Sequence, residues 1–347
     1  MKKRPRAVEK RRAHALAALL SLCALLPAAS VARARAAAPK KAAPAARQRP
    51  APKPRAAAPP AAPQQARASA RVPQEILLRI MAAEDERRWE EADLGALLRD
   101  ASAAVRRRAA LAAGRIGDEG AVGPLGALLN SDRDEATRAA AAFALGEIEA
   151  ESGAPALVEA LRLSKSPELR ARAVEALGKI AAALPDARAD VKRRLGEAVN
   201  NALVAEHRRA KPNRALVLLG LTAMLRARPE GGARTVALFL SSADARARAD
   251  AANALTRMRA KESLERLRAM VASDASAEAR ANAARALGVA EDAAAFDLLA
   301  RAAAADADAR VRVSAVRSLA QSKDARAAEA LVRRGGELFA AYKSARV

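Results

Sequence analysis

The chain has 347 residues and a formal net charge of +23, with 52% hydrophobic residues but only 2% aromatic ones. Its one cysteine, Cys23, excludes an intramolecular disulfide framework and a multi-thiolate metal site, and two histidines are too few for a polyhistidine centre. The charge is uneven: residues 1–73 hold 17 bases and one acid, net +16, whereas the remainder holds 45 bases and 38 acids, net +7.

Residues 1–14 carry seven basic residues, an apolar run follows over Ala15 to Leu26, and small residues continue through Ala36. That order is the pattern of a secretory leader, with cleavage after Ala32 or Ala36, so 1–36 is read as a signal peptide. Twelve apolar residues fall short of the ~20 needed to span a bilayer, which makes an uncleaved anchor the lesser reading. Either way the rest of the chain is expected outside the cytoplasm, periplasmic or in the cell envelope. Leu22, the bulky residue before Cys23, disfavours lipidation there.

Residues 37–73 are Ala, Pro, Arg, Lys and Gln almost throughout, with no acid and no large apolar residue before Val72. Such a stretch cannot bury enough surface to offset its ordering entropy, so it reads as a disordered tether. Its prolines favour extended geometry, giving a reach on the order of 100 Å. Its basic residues suit weak, salt-sensitive contact between 37–72 and anionic polymers or lipid headgroups.

A helix is expected from Gln74, with Ile76, Leu77, Ile80 and Met81 on one face and Trp89 sealing the end of the core. Then one short text is written three times: DASAAVRRRAALAAGRI, DRDEATRAAAAFALGEI and SKSPELRARAVEALGKI. Arg106, Arg138 and Arg170 lie 32 residues apart, as do Gly114, Gly146 and Gly178. The period returns with Arg248, Arg280 and Arg312. Repetition at this length marks a solenoid of stacked helix pairs, here about seven pairs over 74–347. Each unit has a short Leu-rich first helix, as in AVGPLGALL, and a second helix carrying the repeated text. Ser102, Asp134, Ser166, Asp244, Ser276 and Asp308 stand four residues before the arginines, where an N-cap belongs. The 78 residues from Arg170 to Arg248 leave room for one longer, irregular unit with helices near 187–206 and 211–227.

Aligned on the arginine, the positions three and seven further on hold Ala or Leu and form the packed stripe. The positions two, five and nine further on share another face and vary from repeat to repeat. A binding surface belongs there, and the candidates are Arg108, Arg115, Arg172, Glu175, Lys179, Asn253, Arg257, Arg285 and Arg317.

The motif D-x-x-x-x-V-R-x-x-A-A-x-x-x-G-x-I resembles the HEAT-repeat family, in particular short bacterial HEAT-like repeats of the phycobilisome-lyase type, over roughly 90–335. The resemblance implies an all-α, right-handed superhelix whose second helices line a concave, partner-binding face. It also implies that the turn Asp and the Arg six residues later form a structural ladder. That role falls on Asp100/Arg106, Asp132/Arg138, Asp274/Arg280 and Asp306/Arg312, with Arg170 and Arg248 preceded by Ser164 and Ser242 and expected to make weaker rungs. Enzymes of this family need more than the chain offers. A di-iron hydroxylase needs several His-Glu pairs, whereas His207 after Glu206 stands alone once His14 is assigned to the leader. Nucleic-acid readers need aromatic platforms, and Trp89, Phe143, Phe239, Phe296, Phe339 and Tyr342 are scattered. The resulting expectation is a scaffold for a protein partner, without catalysis, cofactor, metal or specific nucleic acid. The alternatives are a binding arm of a larger enzyme system, such as a prolyl isomerase, or anionic-polymer binding through the tether.

Overall fold

The computed structural model describes residues 71–322 together with 324, 326–329 and 332, all within one compact unit, 62–334. The expected leader, nearly all of the tether, Phe339 and Tyr342 lie outside the described residues.

Every regular element among the described residues is helical, and no helix there is long and apolar enough to cross a membrane. Helix α1 (Gln74–Asp85) is followed by a π-helical turn, Glu91–Gly95, and α2 (Ala103–Ile116). Then come the pairs α3 (Val122–Ser131) with α4 (Glu135–Ile148), and α5 (Ala154–Leu163) with α6 (Pro167–Ala183). The irregular unit is α7 (Ala189–His207) with α8 (Arg214–Ala227), and α9 (Gly232–Leu238) pairs with α10 (Ala245–Met258). Two further pairs follow: α11 (Leu264–Ser273) with α12 (Ala277–Val289), and α13 (Phe296–Ala305) with α14 (Ala309–Gln321). Each second helix packs on its own first helix and on the second helices before and after it, so α2, α4, α6, α8, α10, α12 and α14 form one continuous row.

Local chemistry fixes the starts of that row. Asp134, Ser166, Asp244, Ser276 and Asp308 each accept a hydrogen bond from a first-turn amide, and Ser102 holds the same N-cap position in α2. Helix α8 adds a cap outside the repeated text: Asn213 accepts from the amides of Ala215 and Leu216 and donates to the Pro167 carbonyl at 2.7 Å.

Small residues set the spacing. Ala109, Ala141, Ala173, Ala251, Ala283 and Ala315, three beyond each arginine, are wholly buried. A Cβ on Gly114 or Gly146 would stand 2.7 Å from the Cα of Ala144 or Ala176, and one on Gly178 would stand 2.6 Å from the Cα of Ala223. The backbones therefore touch at a distance only glycine permits. Ala223 takes the place of Ala144 and Ala176, which aligns α8 with the repeats and puts Val217 where they carry arginine and Leu225 where four of them carry glycine. The α8–α10 junction is accordingly looser than its neighbours in the row.

One expectation is corrected at α1. Met81 is 50% exposed; the side packed on the core is Ile76, Ile80 and Ala83, because the turn-by-turn spacing of 76, 80 and 83 carries 81 past the edge of the contact. Trp89 lies half-buried against the core, with its indole over Gly120.

Candidate interaction face and the arginine ladder

Three of the ladder arginines, Arg106, Arg248 and Arg280, each tie together three pieces of chain. Arg106 donates from Nε and Nη2 to both carboxylate oxygens of Asp132 at 2.6 and 2.8 Å, and from Nη1 to the carbonyls of Asp100 and Ala101. Arg248 grips Asp274 with both distances at 2.7 Å and the Ser242 carbonyl at 2.9 Å. Arg280 grips Asp306 with both at 2.9 Å and the Asp274 carbonyl at 2.7 Å. The carboxylate reached is 26 residues ahead, in the next repeat; the aspartate six residues behind gives only its backbone carbonyl. Planar two-point pairing of this kind is the strongest form of an Arg–carboxylate contact.

Asp132, Asp274 and Asp306 thus have two tasks each. The carboxylate accepts from the amide two residues on, shaping its own turn, as Asp132 does for Asp134 and Asp274 for Ser276. It also receives the arginine of the preceding repeat. Ser164 and Ser242 keep the first task, accepting from Ser166 and Asp244, and lack the carboxylate for the second. The expected weak rungs at Arg170 and Arg248 therefore need correcting. Arg248 makes a full rung, because its partner is Asp274. The rung that fails is Arg138, which faces Ser164 and donates instead to the Leu129 carbonyl at 2.8 Å. Arg170 is redirected to Glu206, a fully buried carboxylate 3.6 Å away that also accepts from the Asn213 amide and lies 3.4 Å from Arg209. Arg312 donates to the carbonyls of Asp306 and Ala307.

These pairs shift the acids. The Arg248 guanidinium holds the Asp274 carboxyl below its ordinary value, and Arg280 does the same for Asp306. Burial pushes the Asp132 carboxyl up, but Arg106 and the Asp134 amide outweigh it and leave it lowered.

The positions two, five and nine beyond the arginine differ in what they offer. Those two beyond are largely taken up between helices: Asn282 is buried and donates to the Ala249 carbonyl at 2.8 Å. In the first half of the row every candidate cation already has a carboxylate. Arg108 and Arg115 both bind Glu84, each with a 2.9 Å contact. Arg172 binds Glu175 at 3.0 Å, and Lys179 pairs with Glu147 and, at 3.4 Å, with Glu175. Phe143 lies beneath Arg172 and Lys179, 5.6 and 4.8 Å from its ring centre. In the second half, Arg257 and Arg317 are exposed and make no side-chain hydrogen bond or ion pair among the described residues. Arg285 bonds only the neutral Asn282 amide. Asn253 is half-buried, one turn before Arg257 in α10.

Residues outside the sequence-derived candidate set complete these contacts. Glu84, Glu147 and Glu206 supply the opposing charge, and Arg226 occupies in α8 the position of Arg257 in α10. The 26-residue Arg-to-Asp spacing was present in the sequence as the signal for the rungs; the glutamates have no such fixed spacing. His207, the last residue of α7, is exposed and sits edge-on to Phe239. Among the described residues no three His, Cys, Asp or Glu side chains are grouped to hold a metal ion.

Several solved structures are similar over most of their length. The CpcE–CpcF complex of phycocyanin lyase from Nostoc sp. matches at 21% identity and TM-score 0.43, over 72% of this chain and 95% of that one. An archaeal HEAT-like repeat protein from Thermococcus onnurineus matches at 15% identity and TM-score 0.45, over 67% and 96%. Human deoxyhypusine hydroxylase matches at 19% identity and TM-score 0.31, over 70% and 97%. Among curated proteins none matches the sequence. The family model for HEAT repeats matches at 67–145, 91–178, 122–210, 232–320 and 270–337, well over half of the chain. An all-helical row of paired helices, tied by repeated arginines and carrying that family match along its length, makes this chain a member of the HEAT-repeat family.

Proposed function

We propose that this protein is an exported, non-catalytic scaffold that docks a protein partner along the free face of its second helices. The observation that supports this reading is the contrast between two sides of one row. Behind the row, alanines, glycines and arginine rungs recur and fix each helix on the next. In front, the side chains change from helix to helix. A rigid row presenting a varied surface suits many small contacts with a large partner. The candidate contact residues are Arg108, Arg115, Arg172, Glu175, Lys179, Asn253, Arg257, Arg285 and Arg317, and the ladder arginines are assigned to structure. Export rests on the leader-like residues 1–36, which place the array on the far side of a membrane with 37–73 as its tether.

Two measurements test this. Cell fractionation with N-terminal sequencing should find the chain outside the cytoplasm, beginning at Arg33 or Ala37; cytoplasmic protein retaining Met1 would refute export. Affinity capture from envelope extracts, followed by titration of the captured protein in purified form, should give a complex. Alanine at Arg108, Arg172, Arg285 and Arg317 together should weaken it at least tenfold, and unchanged binding would remove the proposed face.

A further inference from the structure

The two halves of the free face differ in how their charge is balanced. On α2, α4 and α6 each of the cations Arg108, Arg115, Arg172 and Lys179 is paired with a carboxylate, of Glu84, Glu147 or Glu175. On α8, α10, α12 and α14 the corresponding positions hold Arg226, Arg257, Arg285 and Arg317, all four exposed and none paired with a carboxylate among the described residues. The one acid at those positions, Asp250, pairs with Arg246 at 2.9 Å. A line of four unneutralised guanidinium groups, one per helix, therefore crosses the second half of the row.

We propose that this line binds an acidic, extended segment of a protein partner, a reading that rests on the scaffold function above. The spacing gives the register. Neighbouring packed helices lie about 8–10 Å apart, so the four arginines span roughly 30 Å. An extended chain advances about 3.3–3.6 Å per residue, so a segment of about ten residues with an acid at every third position meets all four. Arg226 and Arg257 stand nine beyond the aligned arginine position and Arg285 and Arg317 five beyond, a difference of four residues. At about 1.5 Å per residue the line therefore shifts by one helical turn, about 6 Å, as it crosses the row. Asn253 holds in α10 the position of Arg285 and Arg317 in their helices, and its side-chain amide offers both a donor and an acceptor for peptide backbone.

Two other occupants fit less well. The chain's own residues 1–73 carry a net +16 and are repelled by this surface. Single-stranded nucleic acid needs stacking rings, and none of the free-face positions of α8, α10, α12 and α14 carries an aromatic residue.

The test uses the full chain and a fluorescein-labelled ten-residue peptide with glutamate at every third position, read by anisotropy at low and moderate salt. The basic leader and tether are common to all variants, so only differences between variants report on the face. Replacing Arg257, Arg285 and Arg317 by glutamine should weaken binding more than tenfold at unchanged helicity. Replacing Arg188, Arg193 and Arg194, exposed at the start of α7 away from this face and each paired with a carboxylate, by glutamine removes the same charge and should change it less than twofold. Equal losses in both variants, or no loss in either, overturn the proposal. So does a single-stranded oligonucleotide that binds more tightly than the peptide and is lost in the same triple variant. A protein partner that binds undiminished to the triple variant sinks this inference and leaves the scaffold reading standing, whereas absence of any protein complex sinks the scaffold reading itself.

Discussion

Gly146→Ala gives the sharpest test of how the row is spaced. A methyl group there would lie 2.7 Å from both Cα and Cβ of Ala176, inside α6. Carbon atoms rest about 3.5–4.0 Å apart, so α6 has to retreat by about 1 Å. The obstacle is backbone, and α6 is itself held against α8 by the same kind of contact at Gly178. Forcing an extra carbon into a packed interface costs about 1–3 kcal/mol. The intrinsic gain of alanine over glycine within a helix, about 0.8–1.0 kcal/mol, offsets part of that. A net loss of up to about 2 kcal/mol is expected. Gly126→Ala, in α3, is the control: its new methyl would meet only the Ala156 Cβ at 4.0 Å, so the propensity gain stands alone and stability rises by up to about 1 kcal/mol. Urea unfolding followed by far-UV circular dichroism should move the two midpoints in opposite directions. Hydrogen exchange should place the loss at α4 and α6, since a repeat array need not unfold in one step. If Gly146→Ala raises the midpoint as Gly126→Ala does, close backbone approach is not what sets the spacing.

Arg280→Ala strands the buried Asp306 carboxylate and should cost about 3–5 kcal/mol, as for other broken buried pairs, whereas Arg280→Ala with Asp306→Ala should recover part of the loss in a double-mutant cycle. Because the carboxyls of Asp274 and Asp306 are lowered when folded, the stability they add is present above their unfolded value, near 3.8, and is lost as pH falls through the folded values. Urea midpoints should therefore hold steady from neutral pH down to about pH 5 and drop below about pH 4, less steeply in Asp306→Asn. Glu206→Ala removes the buried acceptor of the Asn213 amide and the counter-charge of Arg170, and should cost about 2–4 kcal/mol, with faster amide exchange confined to the α7–α8 turn.

Much of this architecture was readable before any coordinates. The 32-residue recurrence, six N-cap positions and the alternation of a small stripe with a varied face specify paired helices, their starts and the side each buries. These are local properties, set by helix periodicity and by side chains that satisfy first-turn amides. The ladder was only half readable: the arginines stood out, but their acceptors were assigned to the nearest aspartate, six residues back. A side chain as long as arginine reaches the adjacent repeat as easily as its own turn, and sequence distance does not say which. Met81 misled for a related reason, since a four-residue apolar set does not show where the edge of a helix contact falls.

What the sequence determined alone is therefore the repeating unit: where each helix begins and which residues are small enough to touch. What the tertiary structure alone decided is which charges are neutralised. Arg115 and Arg257 hold the same position in a repeat alignment, nine beyond the ladder arginine, yet the first has a carboxylate within 3.0 Å and the second has none among the described residues. The physical reason is that a charge interaction depends on distance through space, and helices 24 to 32 residues apart in sequence become neighbours only when the row is assembled.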